Sequence, residues 1–127
     1  MVRICVIGLG YVGLPTAVVF ASKGLSVIGV DVDVNKVKAV NSSKCYIKES
    51  GLNKLLCDVV SKGLLKATTD VVEAVKQCDT VIIAVPTPVK EGVADLSYLR
   101  NALESVKKGL HKDMLVVIES CLLYTSP

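Results

Sequence analysis

The chain of 127 residues has no tryptophan, one phenylalanine and one histidine, and its aromatic content is 4%. A lone histidine, His111, leaves a zinc site short of its usual ligands, so no metal is expected. It falls near an expected helix end, where a place beside the terminal carbonyls suits it. The five cysteines, Cys5, Cys45, Cys57, Cys78 and Cys121, are odd in number and show no Cys-x-x-Cys spacing. Reduced thiols are therefore expected, not a disulfide framework. No apolar stretch reaches the roughly 18 residues of a membrane span. There is no strong charge excess either: 15 basic and 12 acidic residues leave +3. The lysines are scattered, and no nucleic-acid partner is expected. Met1 is followed almost directly by a β-prone apolar run, so no signal peptide is expected, and a cytoplasmic location is the expectation.

Aliphatic residues are abundant. Hydrophobic residues make up 51% of the chain, mostly Val, Ile, Leu and Ala, as a parallel sheet covered on both faces requires. The length suffices for one domain with a true core.

Residues 4–13 read Ile-Cys-Val-Ile-Gly8-Leu-Gly10-Tyr11-Val12-Gly13. A strand-like run enters Gly-x-Gly-x-x-Gly, a helical pattern follows, and Asp31 arrives 23 residues after Gly8 at the end of a second apolar run. This is the dinucleotide-binding fingerprint in its required context. Gly8 permits the sharp turn, Gly10 lets a pyrophosphate approach the backbone, and Gly13 lets helix and strand pack closely. Amides that open a helix lack internal partners and lie at its positive end, so a diphosphate binds there. Asp31 can accept from the ribose hydroxyls and repels a 2′-phosphate, favouring NAD over NADP. The alternative is that the glycines serve only a tight turn.

The spacing predicts strands at Arg3–Ile7, Ser26–Val30, Leu65–Thr68, 80–85 and 114–118. It predicts helices at 11–23, 33–40, from Leu52 to Gly63, 70–77 and from Asp95 or Ser97 to about Gly109. Leu52, Leu55, Leu56, Val59 and Val60 form one helical stripe, and Leu96, Leu99, Leu103, Val106 and Leu110 another. Residues 41–50 and 90–94 read as loop. Asp70 and Glu73 have the spacing of a capping box. Right-handed crossovers then give an α/β fold, a Rossmann-type doubly wound parallel sheet of order 3-2-1-4-5. Lys36, in the first turn of a helix near the expected adenosine edge, is either a cofactor contact or solvated surface. Val85-Pro86-Thr87 ends a central strand where such sheets place ligands. The Thr87 hydroxyl faces the nicotinamide half of a cofactor, or the segment is only a rigid turn.

Val-Ile-Gly-Leu-Gly-Tyr-Val-Gly-Leu-Pro (6–15), Gly-Val-Asp-Val-Asp (29–33), Ala-Val-Pro-Thr-Pro (84–88), Ala-Asp-Leu-Ser-Tyr (94–98) and Val-Ile-Glu-Ser (117–120), in this order, resemble the N-terminal domain of the UDP-glucose/GDP-mannose dehydrogenase family. Within it the wording is most similar to the branch acting on UDP-N-acetylmannosamine. The resemblance covers residues 2–120. It implies oxidation of the C6 alcohol of a nucleotide sugar to a carboxylate with two NAD⁺ in succession, for polysaccharide biosynthesis. It implies cofactor contacts at Gly8, Gly10, Tyr11, Val12, Gly13, Asp31, Lys36, Val85, Pro86 and Thr87, with Glu119 near the nicotinamide end. The family's catalytic cysteine and lysine belong to a region with no counterpart here, and none of the five cysteines matches that nucleophile. No catalytic residue is therefore assigned, and binding of NAD without turnover is expected of a truncated single domain. The resemblance also implies a homo-oligomer for the full-length protein. Residues 121–127 depart from the family pattern and are expected to be a non-native or truncated tail, leaving 1–120 as the NAD-binding domain.

Two other readings compete. One is a hydroxyacid or sugar-acid dehydrogenase domain, against which the Pro86-Thr87-Pro88 turn and residues 94–98 speak. The other is a free-standing nucleotide-sensing module, which would not be expected to carry the Val-Pro-Thr-Pro to Glu-Ser pattern.

Overall fold

A computed structural model describes residues 2–119 and the backbone of 122–124. Ser120, Cys121 and residues 125–127, which include most of the expected foreign tail, lie outside the described residues.

The chain runs β1 (Arg3–Ile7), α1 (Gly13–Ser22), β2 (Ser26–Val30), α2 (Val34–Asn41), α3 (Leu52–Ser61), β3 (Leu65–Thr68), α4 (Val71–Lys76), β4 (Thr80–Ile83), β5 (Thr87–Lys90), β6 (Val93–Ala94), α5 (Ser97–Gly109), β7 (Leu115–Ile118) and β8 (Leu122–Tyr124). The main sheet has the order β3-β2-β1-β4-β7, all parallel. This is the expected 3-2-1-4-5 order; the fifth strand carries a higher number because β5 and β6, which pair in a small second sheet of order β6-β5-β8, precede it in the chain.

Side chains alternate across a strand, and in β1 both sets are buried. Ile4 and Val6 join Leu14, Ala17, Val18 and Ala21 of α1 and Leu52, Leu56 and Val59 of α3 in one core layer. Cys5 and Ile7 join Ala74 and Val75 of α4 and Ala102 and Val106 of α5 in the other. Each such Val, Leu or Ile contributes about 1.5–3 kcal/mol when fully buried. The edge strands are the exceptions: β3 exposes Lys66, and β7 is largely uncovered. Val116 packs on the second layer, while Leu115 and Val117 are exposed.

Helix starts follow the polar residues of the sequence. Asp33 caps α2 by accepting from the Asn35 amide at 2.9 Å. Asp70 caps α4 by accepting from the Glu73 amide at 3.1 Å. The return bond of a capping box is not made, because the Asp70 amide donates to Thr68 Oγ1. Asp95 serves α5 from one residue before its N-cap, Leu96, accepting from both the amide and the hydroxyl of Ser97. These bonds hold its carboxyl below the usual carboxylate range.

Several expectations are corrected. The first helix begins at Gly13 instead of residue 11, because residues 10–12 form the turn that leads into it. β4 ends at Ile83 instead of Val85. The segment read as a proline turn and a loop is a hairpin, β5 to β6, joined by Glu91 and Gly92 at φ 54° and 76°. Two successive positive φ values match the twist of a two-residue hairpin loop. Pro88 has no amide to donate and joins the hairpin through its carbonyl, which accepts from the Asp95 amide at 2.7 Å.

Of the expected stripe on α5, Val106 is buried and Leu99 packs on the core, but Leu96, Leu103 and Leu110 are exposed, and Ala102 and Gly109 complete the buried face against α4. A Cβ on Gly109 would lie 2.9 Å from the Val72 carbonyl oxygen and 3.0 Å from the Val75 side chain. Small residues win this face because α4 and α5 approach closely. Leu55 of α3 is likewise exposed.

His111 lies beyond α5, and its Nε2 is 2.8 Å from the carbonyl oxygen of Cys78, not beside the last helix carbonyls. Cys5, Cys45, Cys57 and Cys78 are free thiols. A hydrogen bond with Cys78, together with burial, pushes the Cys5 thiol well above its ordinary range. No helix among the described residues is long and apolar enough to cross a membrane.

The α4–α5 packing sets a contrast. Gly109→Ala should destabilise the fold by about 1–3 kcal/mol through overpacking. Leu103→Ala should change stability by less than about 1 kcal/mol. Urea unfolding of the two variants measures the difference.

Candidate functional site

The carboxyl ends of β1, β2 and β4 meet the start of α1, where an open α/β sheet places its ligand. Gly8 leaves β1 at φ 98°, and a Cβ there would lie 2.5 Å from the Ala84 carbonyl oxygen. Gly13 is tighter still. Its Cβ would lie 1.5 Å from the Gly8 carbonyl oxygen, so only a bare backbone lets the helix begin here. Around Gly10 no atom lies within 4 Å of an added Cβ. That opening leaves the backbone accessible, and a side chain would fill it.

Among the described residues, the amides of Gly10, Tyr11, Val12 and Gly13 have no acceptor. Four unpartnered amides at the positive end of a ten-residue helix form an anion cradle. The Tyr11 side chain is exposed, so its contribution to the cradle is its backbone.

Asp31 follows β2 and is fixed on both oxygens. Oδ2 accepts from the Leu9 amide and Oδ1 from the Asp33 amide, each at 2.9 Å. A carboxylate has further lone pairs, which remain available to a pair of ribose hydroxyls. Asp31, Gly8, Lys36, Val85 and Pro86 line one cavity of about 440 Å³. Its walls also include Val32, Val71 and the Tyr98, Asn101 and Ser105 side of α5. An apolar slot with a few polar groups at one end suits a nucleoside.

Two candidates lie apart from that cavity. Thr87 opens β5, is 2% exposed and does not line it. Glu119 follows β7, and its amide extends the sheet by donating to Ile83. Its Oε1 lies 2.9 Å from Thr16 Oγ1, which also lies 2.8 Å from the Val12 carbonyl oxygen. The hydroxyl has one proton and serves one acceptor at a time. Glu119 therefore sits beside the first turns of α1, on the side away from Asp31.

The sequence reading missed Thr16, Tyr46, Tyr98, Asn101 and Ser105. The α5 residues recur at i, i+3 and i+7, a spacing that in sequence reads as an ordinary solvated face. Tyr46 lies in a polar loop and carried no signal at all.

The UDP-glucose/GDP-mannose dehydrogenase family, NAD binding domain, matches residues 2–126. The chain belongs to this family. It is 48% identical to a UDP-N-acetyl-D-mannosamine dehydrogenase of Campylobacter jejuni over 98% of this chain and 29% of that protein. A solved UDP-N-acetyl-D-mannosamine dehydrogenase from Pyrococcus horikoshii superimposes with TM-score 0.88 at 43% identity, over 93% of this chain and 28% of that one. A GDP-mannose dehydrogenase from Pseudomonas aeruginosa gives 0.89 at 37% identity, over 93% and 28%. The chain thus spans under a third of the length of these relatives. It is an NAD-binding domain, and the open cradle at Gly10 and the fixed carboxylate of Asp31 fit that cofactor.

The glycines separate folding from binding. Gly13→Ala should destabilise the fold by more than about 3 kcal/mol, because backbone must move. Gly10→Ala should unfold like the wild type and bind NAD about tenfold or more weakly. Urea titration and calorimetry on the pair check both halves.

Proposed function

We propose that this chain is the cofactor-binding portion of a nucleotide-sugar 6-dehydrogenase. The substrate is a UDP-linked sugar of the N-acetylmannosamine or glucose type, oxidised at its C6 alcohol to a carboxylate with two NAD⁺, for polysaccharide biosynthesis in the cytoplasm. The observation that carries this reading is the joining of an open amide cradle and a fixed Asp31 in a chain 48% identical to a named UDP-N-acetyl-D-mannosamine dehydrogenase.

In this reading, the amides of Gly10 to Gly13 hold the pyrophosphate and Asp31 holds the adenosine ribose. Lys36, Val85 and Pro86 wall the adenosine side, and Glu119 and Thr87 flank the nicotinamide side. Bound NAD supplies the hydride acceptor, and the protein supplies its position. The groups that act on the sugar lie elsewhere in the full-length protein, a homo-oligomer, so this chain alone binds NAD without turnover.

Asp31 provides the test. Charge-assisted hydrogen bonds contribute about 1.5–3 kcal/mol each, so Asp31→Ala should weaken NAD by about tenfold or more. Loss of Asp31 also releases the Leu9 amide, which harms NAD and NADP alike. The ratio of the two affinities is therefore the decisive quantity. Calorimetry should show a strong preference for NAD in the wild type and little preference in the variant. A wild-type chain that binds neither, or both equally, would overturn the assignment.

A further inference from the structure

We infer that Tyr46 is a positioning residue for the pyrophosphate cradle, acting through the Leu9–Gly10 peptide. The inference rests on the cofactor site described above and assigns a residue that neither the fingerprint nor the cavity includes.

Leu9 lies between the first two glycines of the motif, where the backbone has the most freedom. It is nevertheless fixed on three sides. Its side chain is fully buried against Gly29, where an added Cβ would lie 2.9 Å from Leu9 Cδ2. Its amide donates to Asp31 at 2.9 Å. Its carbonyl accepts from the Tyr46 hydroxyl at 2.6 Å, across 37 residues of chain. The peptide unit is planar and trans, so its C=O and the following N–H point in opposite directions. Holding the Leu9 carbonyl outward toward Tyr46 therefore aims the Gly10 amide the other way, into the cradle. Without that bond, the peptide between Leu9 and Gly10 can rotate, and binding must then supply its ordering.

The phenol is suited to the task. Burial, and then the negative charge of Asp31, hold its pKa above the ordinary tyrosine value of 10. It remains a donor throughout the neutral range. Lys36 Nζ lies 5.9 Å from the ring centroid, at the outer limit of a cation–π contact. The ring and the hydroxyl thus have separable roles, and a phenylalanine keeps the first while losing the second.

Tyr46→Phe should weaken NAD and ADP-ribose about three- to tenfold, the range of one lost hydrogen bond. Adenosine, which has no phosphate and makes no demand on the Gly10 amide, should bind as to the wild type. In the ligand-free chain, the Gly10 amide resonance should broaden or split in the variant, with the thermal midpoint little changed. Unaltered binding of all three ligands with an unaltered Gly10 resonance would overturn the inference. So would an equal loss for all three, which marks a general structural defect. If the wild type takes up no NAD, the cofactor assignment falls, and the Gly10 resonance still decides whether Tyr46 holds the turn.

Discussion

The site depends on a contact between two stretches of bare backbone. The start of α1 lies so close to the Gly8 carbonyl that residue 13 has no room for even one carbon. That approach brings the first amides of the helix directly beyond the end of β1, the central strand of the sheet. Hydrophobic burial on both faces of β1 then holds strand and helix in this relation. The anion cradle is a by-product of how tightly one crossover is packed.

Around this contact, polar groups convert a flexible turn into a fixed one. Asp31 is bound from two amides before any ligand arrives, and Leu9 is tied at its side chain, amide and carbonyl. A ligand that meets an ordered loop does not have to order it. The electrostatics are divided as well. Positive helix-end amides face one side of Asp31, and an apolar slot between Val32, Val71 and α5 lies on the other. In the proposed assignment, phosphate, ribose and base would therefore meet three different environments.

Most of the sheet and the heart of the site were legible in the sequence because their signals are local. Three buried strands, β1, β2 and β4, read as aliphatic runs, and the glycine motif and Asp31 lie at fixed spacing from one strand end. The hairpin at 87–94 was not legible, because Pro86 and Pro88 read as breakers, and the donor that the Pro88 carbonyl meets, the Asp95 amide, is found only in three dimensions. The orientation of α5 was legible only in part, through Leu99 and Val106, and the rest was lost for a different reason. A leucine stripe outweighs Ala102 and Gly109 on any hydrophobicity count, yet helix–helix distance selects the small residues. Tyr46 was invisible because its partner is a backbone carbonyl 37 residues away, and no sequence pattern records such a bond.

The distribution of sulfur gives the fold an internal clock. Cys57 lies exposed on α3, whereas Cys5 and Cys78 are sealed in the layer between the sheet and the α4–α5 pair. An alkylating reagent meets Cys57 in the native chain, but reaches Cys5 and Cys78 only when that layer opens. Labelling located at Cys5 therefore times the opening of the same strand that presents the glycine turn.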